Sequence, residues 1–125
     1  MNDEDFRTFD EMVSVLARNT PHALVLDWWR RLERTLDYYF IAFHRRSRPK
    51  NYIGILASDE RVDSRIVSIV DGLRRRRNTV AHCGVQDLSP DDAVGFAKAA
   101  WLTVWAIGST VPDALASESG AARMV

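Results

Sequence analysis

Four consecutive arginines, Arg74 to Arg77, run directly into Asn78-Thr79-Val80-Ala81-His82. Adjacent guanidinium groups repel one another, and no acidic residue follows until Asp87. A one-sign run of that density points to an anionic partner, because the planar guanidinium fork holds phosphate through paired hydrogen bonds. His82 adds the side chain whose ordinary pKa, about 6.5, lets it exchange a proton near neutral pH. Arg77 and His82 stand five positions apart, which on an ideal helix separates them by about 140° around the axis. They converge on one small target only if the helix breaks near His82 or if two copies of the chain complete one site. Asn78 precedes His82 by four positions and shares its face, where its amide can orient the imidazole or bind a phosphate oxygen. The bland alternative is a basic helix end, in which cations gain only ~0.3–1 kcal/mol. Asn78 would then cap backbone groups, and Arg74, Arg75 and Arg76 would be solvated.

The elements that must carry these residues are helical. Only 6 Gly and 4 Pro are present, and nearly all punctuate periodic stretches. A first helix is predicted from Asp3 to about Arg18, with Phe6, Phe9, Val13, Leu16 and Ala17 on one face. A second, capped by Thr20 with Pro21 in its first turn, runs to Phe43 or His44. Leu24, Trp28, Leu32, Leu36, Tyr39 and Phe43 form its stripe, widened by Val25, Trp29 and Phe40, an arc broad enough to meet several partners. Glu33 and Asp37 read as ion-pair partners of Arg30 and Arg34 on another face. Residues 45–57 read as a loop that begins basic and tucks Tyr52, Ile53, Ile55 and Leu56 against the bundle. Ser58-Asp59-Glu60 opens a third helix whose seam is Val62, Ile66, Ile69, Leu73, Arg76 and Val80; Gly72 within it predicts a close approach or a bend. Ser89-Pro90-Asp91-Asp92 is a capping box for a fourth helix that ends before Pro112. It carries Ala93, Ala97, Ala100, Val104 and Val111, with Trp101 and Trp105 alongside. The fold expected is an all-α, up-and-down four-helix bundle over residues 1–112, with room for a short extra helix, and a flexible tail at 113–125.

Composition bounds the function. At 125 residues and 46% hydrophobic content the chain is one domain with a real core. Its 17 basic and 17 acidic residues leave a net charge of +0, which excludes a globally basic nucleic-acid coat but permits a local patch. The single cysteine, Cys83, excludes a disulfide-stapled scaffold and reads as a half-buried thiol. The acidic start lacks the order of a signal peptide, and no apolar run nears the ~20 residues of a membrane span. A cytoplasmic protein with no membrane partner is expected.

The stretch Arg77-Asn78-Thr79-Val80-Ala81-His82 resembles the R-x4–6-H motif of HEPN domains, in the R-N-x-x-x-H form; Leu73 before it and Gly84 after it resemble that family's surroundings. The likeness extends to the small helical bundle with the motif late in its third main helix, and so covers most of residues 3–112. It implies a homodimeric, metal-independent endoribonuclease, commonly a toxin or defence effector, with the Arg and His of both subunits lining one cleft. In that chemistry the RNA 2′-hydroxyl attacks its own phosphate and leaves a 2′,3′-cyclic phosphate. His82 moves the proton, Arg77 stabilises the added negative charge, Asn78 positions, and Arg74, Arg75 and Arg76 hold neighbouring phosphates. RNA and an antitoxin protein are the partners implied, with no cofactor and no metal. Gly84 stands where one subgroup carries a modifiable tyrosine, so that control is not expected. The alternatives are a non-catalytic RNA- or nucleotide-binding module and a structural dimeric bundle that binds a protein. His22 and His44 lack ligand-spaced companions, so neither is expected to hold a metal. Trp28, Trp29, Trp101 and Trp105 read as core or subunit-interface residues before base-stacking ones.

Overall fold

A computed structural model describes residues 2–83, except the side chain of Cys83, and residues 88–111. Gly84, Asp87, Pro112 and the expected tail lie outside that set. Helix α1 (Asp3–Asn19) begins where Asn2 Oδ1 accepts from the Asp5 backbone N–H at 2.8 Å, with three acids at its positive end. One residue later α2 (Pro21–His44) starts on Pro21 as expected. Thr20 does not cap it: its hydroxyl donates back to the Leu16 carbonyl at 3.2 Å. Arg45 ends α2 with a φ of 54°, a left-handed turn that disfavours a side chain by about 1–2 kcal/mol.

The stretch read as a loop contains a six-residue helix, α3 (Tyr52–Ala57), with Tyr52 and Leu56 buried one turn apart. Helix α4 (Ser64–Cys83) then begins later than the Ser58-Asp59-Glu60 signal predicts. Asp59 cannot open it because its carboxylate is committed to the core edge. Asp63 takes the capping role instead, its Oδ1 accepting from the Arg65 backbone N–H at 2.8 Å. Helix α5 (Pro90–Gly108) starts as predicted, Ser89 Oγ accepting from the Asp92 N–H at 3.1 Å. The other half of that capping box is diverted, since the Asp92 carboxylate lies 3.1 Å from Arg76 Nη2.

The architecture is all-α, four long helices and one short one, with no strand among the described residues. No described helix is long and apolar enough to cross a membrane. Helix α2 packs against α1, α4 and α5; α5 also touches α1 and α4, and α3 rests on α4. The broad apolar arc of α2 is buried accordingly: Leu32, Leu36, Tyr39 and Phe40 are 0% exposed, each such burial being worth ~1.5–3 kcal/mol. On the α1 side, Phe9 stacks on Trp101 with centroids 3.8 Å apart and meets Trp28 edge-on. Phe6 and Leu16, expected on the same buried face, are exposed.

The seam of α4 differs from the predicted one by a small rotation. Val67, Val70, Leu73 and Val80 are buried, whereas Ile69 is exposed. The buried line steps 70–73–77–80, so Arg77 is half-buried toward the bundle and Arg76 stays outside. Gly72 lies inside the unbroken span of α4 and serves no close approach, since a Cβ there would meet open space.

Asp59 ties the end of α2 to the turn before α4. The Tyr39 hydroxyl donates to Asp59 Oδ2, and His44 Nε2 lies 3.1 Å from the same oxygen. Arg61 adds its backbone N–H to Oδ1 and its Nη1 to both oxygens, each at 3.0 Å. Burial, reinforced by Asp59, pushes the Tyr39 hydroxyl up to about 12. Burial alone would raise the Asp59 carboxyl, but the hydrogen bonds from Tyr39, the Arg61 backbone and His44 outweigh it and hold it below 3.8. Asp59→Ala, which strands the buried Tyr39 hydroxyl, is expected to cost about 1–3 kcal/mol in urea denaturation at neutral pH. Because the folded pKa is depressed, the contribution is complete above the ordinary value of 3.8 and fades as pH falls through the folded one. The gap between wild type and variant should therefore close on acidification; a gap that widened would refute the assignment.

Candidate functional site

Helix α4 runs unbroken through His82 to Cys83. The helix-break route to one combined site is thereby removed. Arg77 and His82 of a single chain lie about 140° apart around the axis and ~7.5 Å apart along it. Arg77 is half-buried, and His82 is exposed with no hydrogen-bond or ion-pair partner among the described residues. Within one protomer, the two groups do not meet.

Arg77 instead faces a cleft of about 250 Å³ between α2, the 45–51 connection, α3 and α4. Asn78 lines the same cleft, and its Oδ1 accepts from Arg77 Nη1 at 3.3 Å. The amide is thus engaged with the guanidinium before it and makes no described contact with His82. Arg77 Nε is buried and without a partner.

The other three arginines have acids within reach. Arg74 Nη2 and Arg75 Nη2 lie 3.0 and 2.6 Å from the two oxygens of Asp71, and Arg76 pairs with Asp92 of α5. The acid-free run seen in sequence is therefore partly offset, by one acid from the turn before it, shared by Arg74 and Arg75, and one from another helix. These pairs are open to solvent, with arginine side chains 39%, 74% and 50% exposed. At such exposure each contributes ~0–1 kcal/mol, so a phosphate can replace the acid at little cost.

Residues outside the arginine–histidine stretch complete the cleft. Arg48, its side chain 17% exposed, reaches Glu33 at 3.0 Å and Asp37 at 2.8 Å. These acids bind Arg48 from the connection and not Arg30 and Arg34 on their own helix. Burial would lower the Arg48 guanidinium's pKa, but Asp37 and Glu33 more than offset it. Its carbon lies 4.6 Å from the centre of the Tyr52 ring, a cation–π contact. Lys50 lines the cleft and has no acid partner among the described residues. The sequence signal was the basic run from Arg45 to Lys50; its partners were invisible because they lie on α2.

Further concavities lie elsewhere among the described residues. One, about 610 Å³, opens beside His44, Asp59 and Arg61, groups already consumed in the Asp59 tie. Another, about 530 Å³, lies between α2 and α5 beside Arg30, Arg34 and Trp105. Trp28 and Trp29 are core residues as expected, Trp101 is half-buried, and Trp105 is 49% exposed. Among the described residues no three metal-ligating side chains gather. In comparison with known proteins, no family model, no curated protein and no solved structure matches the chain.

The contrast between the two kinds of ion pair is measurable. Arg48→Ala removes two charge-assisted hydrogen bonds and the cover over Tyr52, and is expected to lower unfolding free energy by about 1–3 kcal/mol. Arg76→Ala should change it by less than ~1 kcal/mol. Equal losses in chemical denaturation would contradict the different weights given to these pairs.

Proposed function

We propose that the chain is a metal-independent endoribonuclease of HEPN type, acting as a homodimer and serving as a toxin or defence effector held in check by an antitoxin protein. The observation that carries this reading is the state of Arg77. It is a half-buried guanidinium with an unpartnered Nε, beside Asn78 in an open basic cleft, on the helix that carries an unengaged His82 in its last turn. A motif at the end of the third long helix of an all-α chain agrees with the HEPN bundle. The angular separation within one protomer supports the dimeric form, since a second copy is what would bring a histidine to face this arginine.

The chemistry follows from the residues. RNA carries its own nucleophile in the 2′-hydroxyl, so His82 need only take that proton or give one to the departing 5′-oxygen. Arg77 donates to the phosphate oxygens as charge accumulates on them, where a preorganised donor contributes most. Asn78 fixes the guanidinium plane through its 3.3 Å hydrogen bond. Arg74, Arg75 and Arg76 exchange their exposed carboxylate partners for flanking phosphates. The second reading, an RNA- or nucleotide-binding module without cleavage, draws on the failure of Arg77 and His82 to meet in one chain.

Purified protein should cleave RNA in excess chelator and leave 2′,3′-cyclic phosphate ends, with Arg77→Ala and His82→Ala each lowering the rate roughly 10²–10⁴-fold. If one protomer's arginine works with the other's histidine, mixing the two inactive variants and allowing exchange should restore about a quarter of wild-type activity. Metal-dependent cleavage, or full activity in both variants, would overturn the proposal. RNA binding that weakens steeply with salt, without cleavage, would select the binding module.

A further inference from the structure

Three buried side-chain polar atoms lack a hydrogen-bond partner among the described residues: His22 Nε2, the Tyr52 hydroxyl and Arg77 Nε. The residues carrying the last two line the same cleft. Tyr52 is only 5% exposed, and a buried donor left unmet is costly. No residue lining the cleft accepts from it. Arg48, Lys50 and Arg74 have no acceptor capacity. The two side-chain acceptors in the lining are turned elsewhere, Glu33 to Arg48 at 3.0 Å and the Asn78 amide oxygen to Arg77 at 3.3 Å. Arg48 lies over the Tyr52 ring face, its carbon 4.6 Å from the centroid, and as a guanidinium it can only donate. Burial raises the Tyr52 pKa above its ordinary 10.0, which keeps the hydroxyl a donor at neutral pH.

The cleft therefore holds surplus donors and, once the Arg48 and Arg74 pairs are counted, two positive charges without an acid, Lys50 and Arg77. Water can accept from a hydroxyl but leaves that charge unbalanced. An oxyanion with lone pairs on several oxygens answers both the charge and the unmet donors. We infer that this cleft is a phosphate-binding subsite, in which the Tyr52 hydroxyl, Arg77 and the Lys50 ammonium meet the oxygens of one phosphoryl or phosphodiester group within a single protomer. The assignment shares Arg77 with the ribonuclease reading, and rests on that reading only for the expectation that the phosphate belongs to RNA.

The test uses the full chain and binding, not cleavage. Inorganic phosphate, a ribonucleoside 5′-monophosphate and a short 2′-O-methylated RNA, which cannot supply the attacking hydroxyl, are titrated by calorimetry against wild type, Tyr52→Phe, Lys50→Gln and Arg34→Gln. Tyr52→Phe keeps the ring under Arg48 and deletes only the unmet hydroxyl, so the ligand-free variant should melt no lower than wild type. Its affinity for phosphate should nonetheless fall about tenfold, and that of Lys50→Gln severalfold. Arg34→Gln, an exposed cation on another face, should bind as wild type does. Tighter binding of the methylated RNA than of the small anions places the phosphate in a polynucleotide; preference for the monophosphate or free phosphate supports the subsite with a small ligand. Wild type that binds none of the three, or Tyr52→Phe that binds undiminished, overturns the inference even if RNA is cleaved. Phosphate binding that depends on Tyr52, with no RNA cleavage at all, leaves it standing and removes the ribonuclease reading.

Discussion

The broad apolar face of α2 is the constraint from which the rest of the molecule follows. Leu32, Leu36, Tyr39 and Phe40 are wholly buried because α1, α4 and α5 all rest on this one helix. A helix held from three directions has little freedom to slide or rotate, since close-packed interiors resist small shifts. Its polar edge is consequently fixed as well. Glu33 and Asp37 stand where they can catch Arg48, and Arg48 draws the connection after α2 across the bundle. Lys50 and Tyr52 come with it and arrive opposite Arg77. The cleft is thus a consequence of core packing two steps removed.

Charge in this chain is balanced globally and unbalanced locally. Equal numbers of acids and bases would permit every arginine a partner, and most of those on α4 have one. The exceptions matter more than the total. Arg77 is turned inward by the rotation of the α4 seam, away from Asp71 and Asp92, while its neighbours on the outer side reach them. One residue's difference in helical phase separates a solvated ion pair from a half-buried guanidinium with an unpartnered nitrogen. A half-buried cation of that kind is poised for an anion in a way the exposed arginines are not.

Much of the secondary structure was legible because its signals are local. Pro21, Ser89 and Pro90 mark helix starts through the backbone geometry they favour, and the α2 stripe follows from helical repeat alone. The errors share a cause. Asp59 looks like the start of a helix by residue type, but Tyr39 and His44, on a distant turn, compete for its carboxylate and win. The segment 52–57 looks too broken by Asn51 and Gly54 to be helical, yet burial of Tyr52 and Leu56 one turn apart makes it so. Glu33 and Asp37 have Arg30 and Arg34 as neighbours along the helix, yet both bind Arg48 from the connection.

What the order of amino acids determined by itself is the all-α class, the four long helices, and the presence of an arginine, an asparagine and a histidine at the end of one of them. Such features depend on neighbours within a turn or two, where backbone geometry dictates who can touch whom. The phase of α4 against α2, the pairing of three arginines with two acids, and the cleft that unites Arg77 with Tyr52 and Lys50 were decided only by the folded chain. They join groups remote along the polypeptide, and which carboxylate meets which guanidinium depends on the burial of apolar side chains that carry no charge at all.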